Sequence, residues 1–132
     1  MIVDTSAVLA VLLGEGEAET FTELILKSDV CLMSAVSFVE ASIVAETFGG
    51  DGGVRQLDAF LRTAGIAIQP VSEEHALAAR QAYSDYGKGR HAAGLNFGGC
   101  FSYALAKVSG EPLLFKGSDF GKTDVAAVAP RS

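Results

Sequence analysis

A chain of 132 residues, 49% hydrophobic and 20% charged, is long enough to close one domain with a core of its own, and its glycines and prolines follow no collagen-like period. No apolar run approaches the ~18–20 residues of a membrane span, and Met1-Ile2-Val3-Asp4 has no basic segment of the kind that opens a secretory signal, so a cytoplasmic protein is expected. The net charge of −6 argues against a general nucleic-acid coat protein, but the imbalance is local: residues 1–66 hold ten acids and three bases, whereas residues 67–132 hold six acids and seven bases, among them Lys88, Arg90, Lys107, Lys116, Lys122 and Arg131.

In chain order, Ile2-Val3 begins a strand that ends at Asp4, and Thr5 to Leu13 reads as a short helix stopped by Gly14. Glu17 to Lys27 is an amphipathic helix carrying Phe21, Leu24 and Ile25, followed by a strand from Val30 to Met33. Ser34 caps a helix running to about Phe48. Gly49-Gly50-Asp51-Gly52-Gly53 reads as a turn or loop, and Val54 to Ala64 as another helix, with Gly65 as its stop. Ile66 to Gln69 is a strand ended by Pro70, and Ser72-Glu73-Glu74 opens a helix reaching about Tyr86. A second loose stretch, from Gly87 to Gly99, holds five glycines and the basic pair Arg90-His91. Cys100 to Val108 is a helix closed by Gly110, and Leu113–Phe115 and Val125–Val128 are the last strands. Cys31 and Cys100 sit in apolar settings far apart in sequence and read as buried free thiols in a reducing compartment. Short strands alternating with helices of roughly ten or more residues indicate βαβ units. The fold expected is a three-layer α/β/α sandwich around a mainly parallel sheet, with ligands bound beyond the carboxyl ends of the strands.

Three carboxylates look out of place on such a frame. Asp4 directly follows the first strand, where it serves either as a helix cap or as a site residue. Glu40 is bracketed by Val36, Ile43 and Val44 on the apolar face of its helix, and no Lys or Arg occurs between Lys27 and Arg55 to pair with it. Asp119 lies past the strand Leu113-Leu114-Phe115, and Asp124 precedes the final strand; each alone is compatible with turn or capping chemistry. Together, Asp4, Glu40 and Asp119 can converge on one sheet edge. Clustered like charges call for a divalent cation, and all-oxygen ligation favours Mg²⁺ or Mn²⁺ over zinc. Cys31 and Cys100 have no CxxC partner, and His75 and His91 lack zinc-ligand spacing.

Four segments taken together resemble the PIN-domain nucleases, specifically the VapC toxins of prokaryotic toxin–antitoxin pairs. They are Met1-Ile2-Val3-Asp4-Thr5-Ser6-Ala7, Ser37-Phe38-Val39-Glu40-Ala41, the run from Leu95 to Ala106 beginning Leu95-Asn96-Phe97-Gly98-Gly99-Cys100, and Leu114-Phe115-Lys116-Gly117-Ser118-Asp119-Phe120 followed by Thr123-Asp124. The resemblance covers essentially the whole chain. It implies a PIN-like fold and a metal-dependent ribonuclease of tRNA or rRNA, with acids at the positions of Asp4, Glu40, Gly99 and Asp119 forming the metal cluster and Asp124 assisting. It further implies a homodimer, inhibition by a VapB-type antitoxin, and DNA contact only through that antitoxin. One position departs from the pattern. Gly99 stands where an acid is expected, at the mouth of the helix starting near Cys100, so the fold should survive while metal affinity and catalysis suffer.

On this reading Asp4 and Asp119 hold Mg²⁺ or Mn²⁺, and Glu40 orients the attacking water or helps to hold the cation. Thr5, Ser6 and Ser118 are candidates for hydrogen bonds to the carboxylates or the phosphate, and equally for capping and turn formation. Lys88, Arg90, His91 and Lys116 are candidate phosphate contacts, although for each taken separately a solvated surface charge is the favoured reading. Other phosphoryl-transfer patterns are absent. A haloacid-dehalogenase-type phosphatase needs a second Asp where Ser6 stands, no G-x-x-x-x-G-K-[ST] occurs, and Asp4-Thr5-Ser6 replaces the glycine fingerprint of a dinucleotide site. The rivals are a catalytically silent module that only engages an antitoxin and, less suited to so short a chain, a structural nuclease-like domain of a larger RNA-processing assembly.

Overall fold

Four short strands, β1 (Ile2–Val3), β2 (Cys31–Ser34), β3 (Ile66–Gln69) and β4 (Leu113–Leu114), form one sheet in the order β3-β2-β1-β4, with every pairing parallel. The structure, a computed structural model, describes residues 1–128. Five helices connect and cover the strands: α1 (Thr5–Leu12), α2 (Ala18–Lys27), α3 (Ala35–Ala64), α4 (Glu73–Tyr86) and α5 (Phe97–Ser109). Side chains alternate across the pleat. Met1, Val3, Cys31, Met33 and Leu114 therefore join one core with apolar residues of α1, α2 and α3, while Ile2, Leu32 and Leu113 join a second with α4 and α5. The expected three-layer α/β/α arrangement is the one observed. Both cysteines are buried and free.

Three expectations about boundaries need correction. The glycine run 49–53 is not a loop: helix continues on both sides and only Gly50 departs, at φ 59° and ψ −145°. That positive φ is open to glycine at little steric cost, so one residue bends α3. A side chain on Gly53 would come within 2.2 Å of the Ala45 carbonyl oxygen, so its absence lets the second arm cross the first. The second correction concerns α5, which starts at Phe97 rather than near Cys100. Asn96 is its N-cap, with Oδ1 accepting from the Gly99 amide at 2.7 Å. Gly99 is thus the third residue of the helix and not its cap; two poor helix formers in the first turn hid the start. Finally, the strand expected at Val125–Val128 is reduced to a single bridge between Leu113 and Ala127, flanked by hydrogen bonds from the Leu113 amide to Ala126 and from the Val128 amide to Leu113. Arg131 lies outside the described residues.

The close crossing of the α3 arms predicts a contrast between two neighbouring glycines. Gly53→Ala should lower unfolding stability by about 1–3 kcal/mol because its methyl group meets backbone. Gly49→Ala meets nothing within 4 Å and should be neutral or gain up to ~1 kcal/mol. Urea unfolding midpoints for both variants test this; equal midpoints would contradict the packing described.

Candidate active site

The strand order brings the carboxyl ends of β1 and β4 side by side, with the Asp4 amide donating to the Leu114 carbonyl at 3.0 Å. A cavity of about 290 Å³ opens beyond those ends, lined by Asp4, Thr5, Ser6, Leu9, Glu40, Val44, Leu95, Asn96, Gly99, Lys116, Asp119 and Phe120. Asp4, Glu40 and Asp119 therefore share one concavity, as expected of acids converging on one sheet edge, and Gly99 and Lys116 line it with them.

Asp4 is the most constrained of them. It caps α1, its Oδ2 accepting from the Ser6 amide at 3.0 Å and the Ser6 hydroxyl at 2.7 Å. Its Oδ1 accepts from the Ser102 hydroxyl at 2.5 Å, and Ser102 in turn accepts from Ser37 at 2.9 Å. Ser37 and Ser102 are fully buried, and Asp4 and Thr5 nearly so. The Thr5 hydroxyl donates to the Ser37 carbonyl, so α1, α3 and α5 are tied together behind the carboxylate. An ionised group at such depth needs these donors, because burial without them is costly. Asp4 both caps α1 and lines the cavity.

Glu40 lies on an apolar face, but that face is not packed. Val36, Val39, Glu40, Ile43 and Val44 line an open groove of about 590 Å³ with Phe97, and Val39, Ile43 and Phe97 are 54%, 60% and 72% exposed. The carboxylate is half-buried. It rests against the first turn of α5, where its oxygens occupy the place a side chain on Gly98 would take, 2.5 and 2.6 Å from that position. The amide-rich start of a helix favours a nearby anion. This accounts for a carboxylate with no Lys or Arg on its own stretch of chain.

Asp119 is exposed at the cavity edge, at the head of a short 3₁₀ turn over Phe120–Lys122 that its carboxylate does not cap. The buried Phe120 ring packs on Phe115 at 5.2 Å between centroids and so holds the turn against the sheet. Lys116 donates its amide to Ser6 Oγ at 3.0 Å, while its ammonium is bound by Glu15 at 2.5 Å and faces Glu17 at 3.6 Å. The Glu15 hydrogen bond raises the Lys116 pKa and keeps it protonated.

Other expected site residues fall elsewhere. Lys88, Arg90, His91 and Ser118 are exposed and do not line the cavity. Arg90 stacks over the Tyr83 ring and His91 meets Tyr86 edge-on, with its Nδ1 accepting from the Ala93 amide. Asp124, expected beside the metal ligands, also lies outside the cavity. It accepts from the buried Tyr103 hydroxyl and from Lys107 at 3.2 Å, which pins residues 123–128 onto α5. Ser37, Ser102, Asn96, Glu15 and Glu17 join the site without having been singled out individually by the sequence pattern. Ser37 and Ser102 are polar residues among apolar neighbours, as Glu40 is, but their partners lie 65 and 98 residues away.

The lining suits a hard divalent cation in kind: its anionic donors are carboxylates and neither cysteine is among them. Among the described residues, however, no three of His, Cys, Asp or Glu stand close enough together to hold an ion. Gly99 contributes no donor side chain. A Cβ there would meet Asn96 Oδ1 at 3.0 Å and Phe120 at 3.5 Å, contacts that small shifts relieve.

The chain matches the PIN domain family over residues 1–126. It is 50% identical over 129 residues to Ribonuclease VapC30 of Mycobacterium tuberculosis, with 98% of each chain covered. To a Ribonuclease VapC of Mycolicibacterium smegmatis it is 53% identical over 128 residues, covering 97% of this chain and 99% of that one. The chain belongs to the VapC ribonucleases of the PIN-domain family. Solved structures share the fold at low identity. The M. tuberculosis VapC20 toxin, described as cleaving the sarcin-ricin loop, superposes with a TM-score of 0.77 at 17% identity, covering 98% of both chains. A toxin–antitoxin complex from Klebsiella pneumoniae gives 0.74 at 18% identity, over 98% of this chain and 97% of that one. No helix among the described residues of this VapC-family chain is long and apolar enough to cross a membrane.

The Tyr103–Asp124 pair carries a pH signature apart from the cavity. The Tyr103 hydrogen bond holds the Asp124 carboxyl below its usual range, and burial followed by the same contact pushes the Tyr103 phenol up. Asp124 therefore contributes stability that is present above the ordinary carboxylate pKa of ~3.9 and is lost as pH falls through its lowered folded value. Tyr103 contributes stability below the ordinary phenol pKa of ~10 that is lost on further alkalinisation. Tyr103→Phe should raise the Asp124 pKa toward the ordinary value and shrink the acid-side loss, as read by carboxyl NMR titration and unfolding against pH. An unmoved Asp124 titration would remove the hydrogen bond from this account.

Proposed function

We propose that this chain is the toxin of a VapBC-type toxin–antitoxin pair. On this reading it is a single cytoplasmic nuclease domain, a homodimer in solution, built to hydrolyse phosphodiester bonds of tRNA- or rRNA-class RNA with Mg²⁺ or Mn²⁺. The observation that carries this reading is the meeting of Asp4, Glu40, Asp119 and Lys116 around one cavity beyond the strand ends, in a chain half identical to named VapC ribonucleases. A VapB-type antitoxin is the expected partner; it would cover the cavity and supply any DNA contact.

Asp4 and Asp119 are the residues that would hold the cation. When bound, a divalent ion supplies Lewis-acid charge for phosphodiester hydrolysis. The chain's own groups do the rest. Ser6 and Ser102 fix both oxygens of Asp4, so its orientation is set before substrate arrives. Glu40, seated on the start of α5, would orient the attacking water or help to hold the cation. Leu9, Val44, Leu95 and Phe120 give the cavity apolar walls that limit water and strengthen the electrostatics within.

Gly99 favours a second reading, a catalytically silent PIN module that engages its antitoxin without cutting RNA. Its observation is the lack of any group of three ligands among the described residues. Gly99→Asp separates the two. Position 99 is in the first turn of α5, where an added carboxylate gains from the helix dipole, so stability should change by no more than about 1 kcal/mol. Mn²⁺-dependent cleavage of RNA should rise by on the order of a hundredfold. Equal cleavage by both proteins would reject Gly99 as the missing ligand position. Asp4→Asn should leave the fold intact and weaken Mn²⁺ binding by at least about tenfold in calorimetric titration; unchanged binding would take Asp4 out of the site.

A further inference from the structure

Of the residues lining the cavity, three are acids and Lys116 alone is basic. With no dication on those acids, a phosphodiester entering there meets net repulsion unless this ammonium is available. In the structure it is not. Glu15 and Glu17, from the connection between α1 and α2, bind it at 2.5 and 3.6 Å across 101 residues of sequence from Glu15. All three side chains are part exposed, between 34% and 41%, so the pairs are reachable by solvent and by a competing anion. Lys116 itself cannot drift far, because its amide is tied to Ser6 Oγ and its Cα follows β4.

We propose that Glu15 and Glu17 form an acidic latch on the cavity's single cation, and that an RNA phosphate binds by displacing them from Lys116. Lys116 is then a substrate-binding residue held in reserve. The two glutamates set a threshold: isolated anions or weakly held polyanions do not outcompete two carboxylates already in place, whereas an RNA strand anchored at further points does. This rests on the reading of the cavity as an RNA phosphodiester site.

Binding of a short fluorescent single-stranded RNA, measured by anisotropy in EDTA so that nothing is cut, tests the latch. Glu15→Gln/Glu17→Gln should tighten binding on the order of fivefold at low salt. One more phosphate contact should also add an affinity loss of about threefold between ~50 and ~200 mM salt. The gain should vanish when Lys116→Gln is added. Glu19→Gln/Glu23→Gln, which removes the same charge from α2, should give little of it. A gain of equal size in the Lys116→Gln background, or from the α2 control, would reduce the effect to general charge and overturn the latch. Wild-type binding left unchanged by Glu15→Gln/Glu17→Gln would overturn it too, with the nuclease reading intact. Absence of RNA binding in every variant, including Gly99→Asp, would overturn the nuclease reading and the latch with it.

Discussion

The hydrogen bonds that converge on the Asp4 carboxylate are the constraint on which the rest of the site depends. β1 is two residues long, and the chain must turn from it into α1 at a buried position. An acid there accepts from the Ser6 amide at the start of the new helix, and Ser102, itself hydrogen-bonded to Ser37, donates to the acid. The outcome is a negative charge fixed at the carboxyl edge of the sheet with α1, α3 and α5 locked around it. Removing Ser102 would leave Asp4 Oδ1 without its buried donor, a loss of about 1–3 kcal/mol. The same contacts that stabilise the fold orient the group offered to a ligand.

Around Asp4 the electrostatics are balanced by backbone as much as by side chains. Glu40 rests against the start of α5, an arrangement that requires the missing side chain of Gly98. Asp119 faces solvent and carries its charge there. Lys116 answers to Glu15 and Glu17 and leaves the cavity's own acids unpaired by it. This surplus of carboxylate oxygen is what a hard dication would neutralise.

Much of this was legible in the sequence, for identifiable reasons. Short apolar runs ended by turn or capping residues such as Asp4, Ser34 and Pro70 mark the strands, and the periodic helices between them require a parallel order. Asp4, Glu40 and Asp119 stood out because each breaks the pattern around it. What stayed hidden depends on distance in the chain. Ser102 reaches Asp4 across 98 residues and Ser37 reaches Ser102 across 65, and no local pattern reports such a contact. The glycine run 49–53 misled because glycine marks both loops and close crossings; only the approach of Gly53 to the Ala45 carbonyl distinguishes them. The face around Glu40 read as buried because apolar periodicity records hydrophobicity and not whether a neighbour covers it. Arg90, His91 and Lys88 are phosphate candidates by charge alone; they are exposed, as the favoured surface reading expects, and their aromatic and backbone partners are invisible to a charge count.

The central claim is that Asp4 and Asp119 face one cation site that an acid at position 99 completes. Anomalous diffraction from manganese-soaked crystals of the native chain and of Gly99→Asp tests it most directly. The account predicts a manganese peak touching Asp4 and Asp119 in the variant, with clearly lower occupancy in the native chain. A peak seated on other residues, or none in either crystal at saturating manganese, would contradict it.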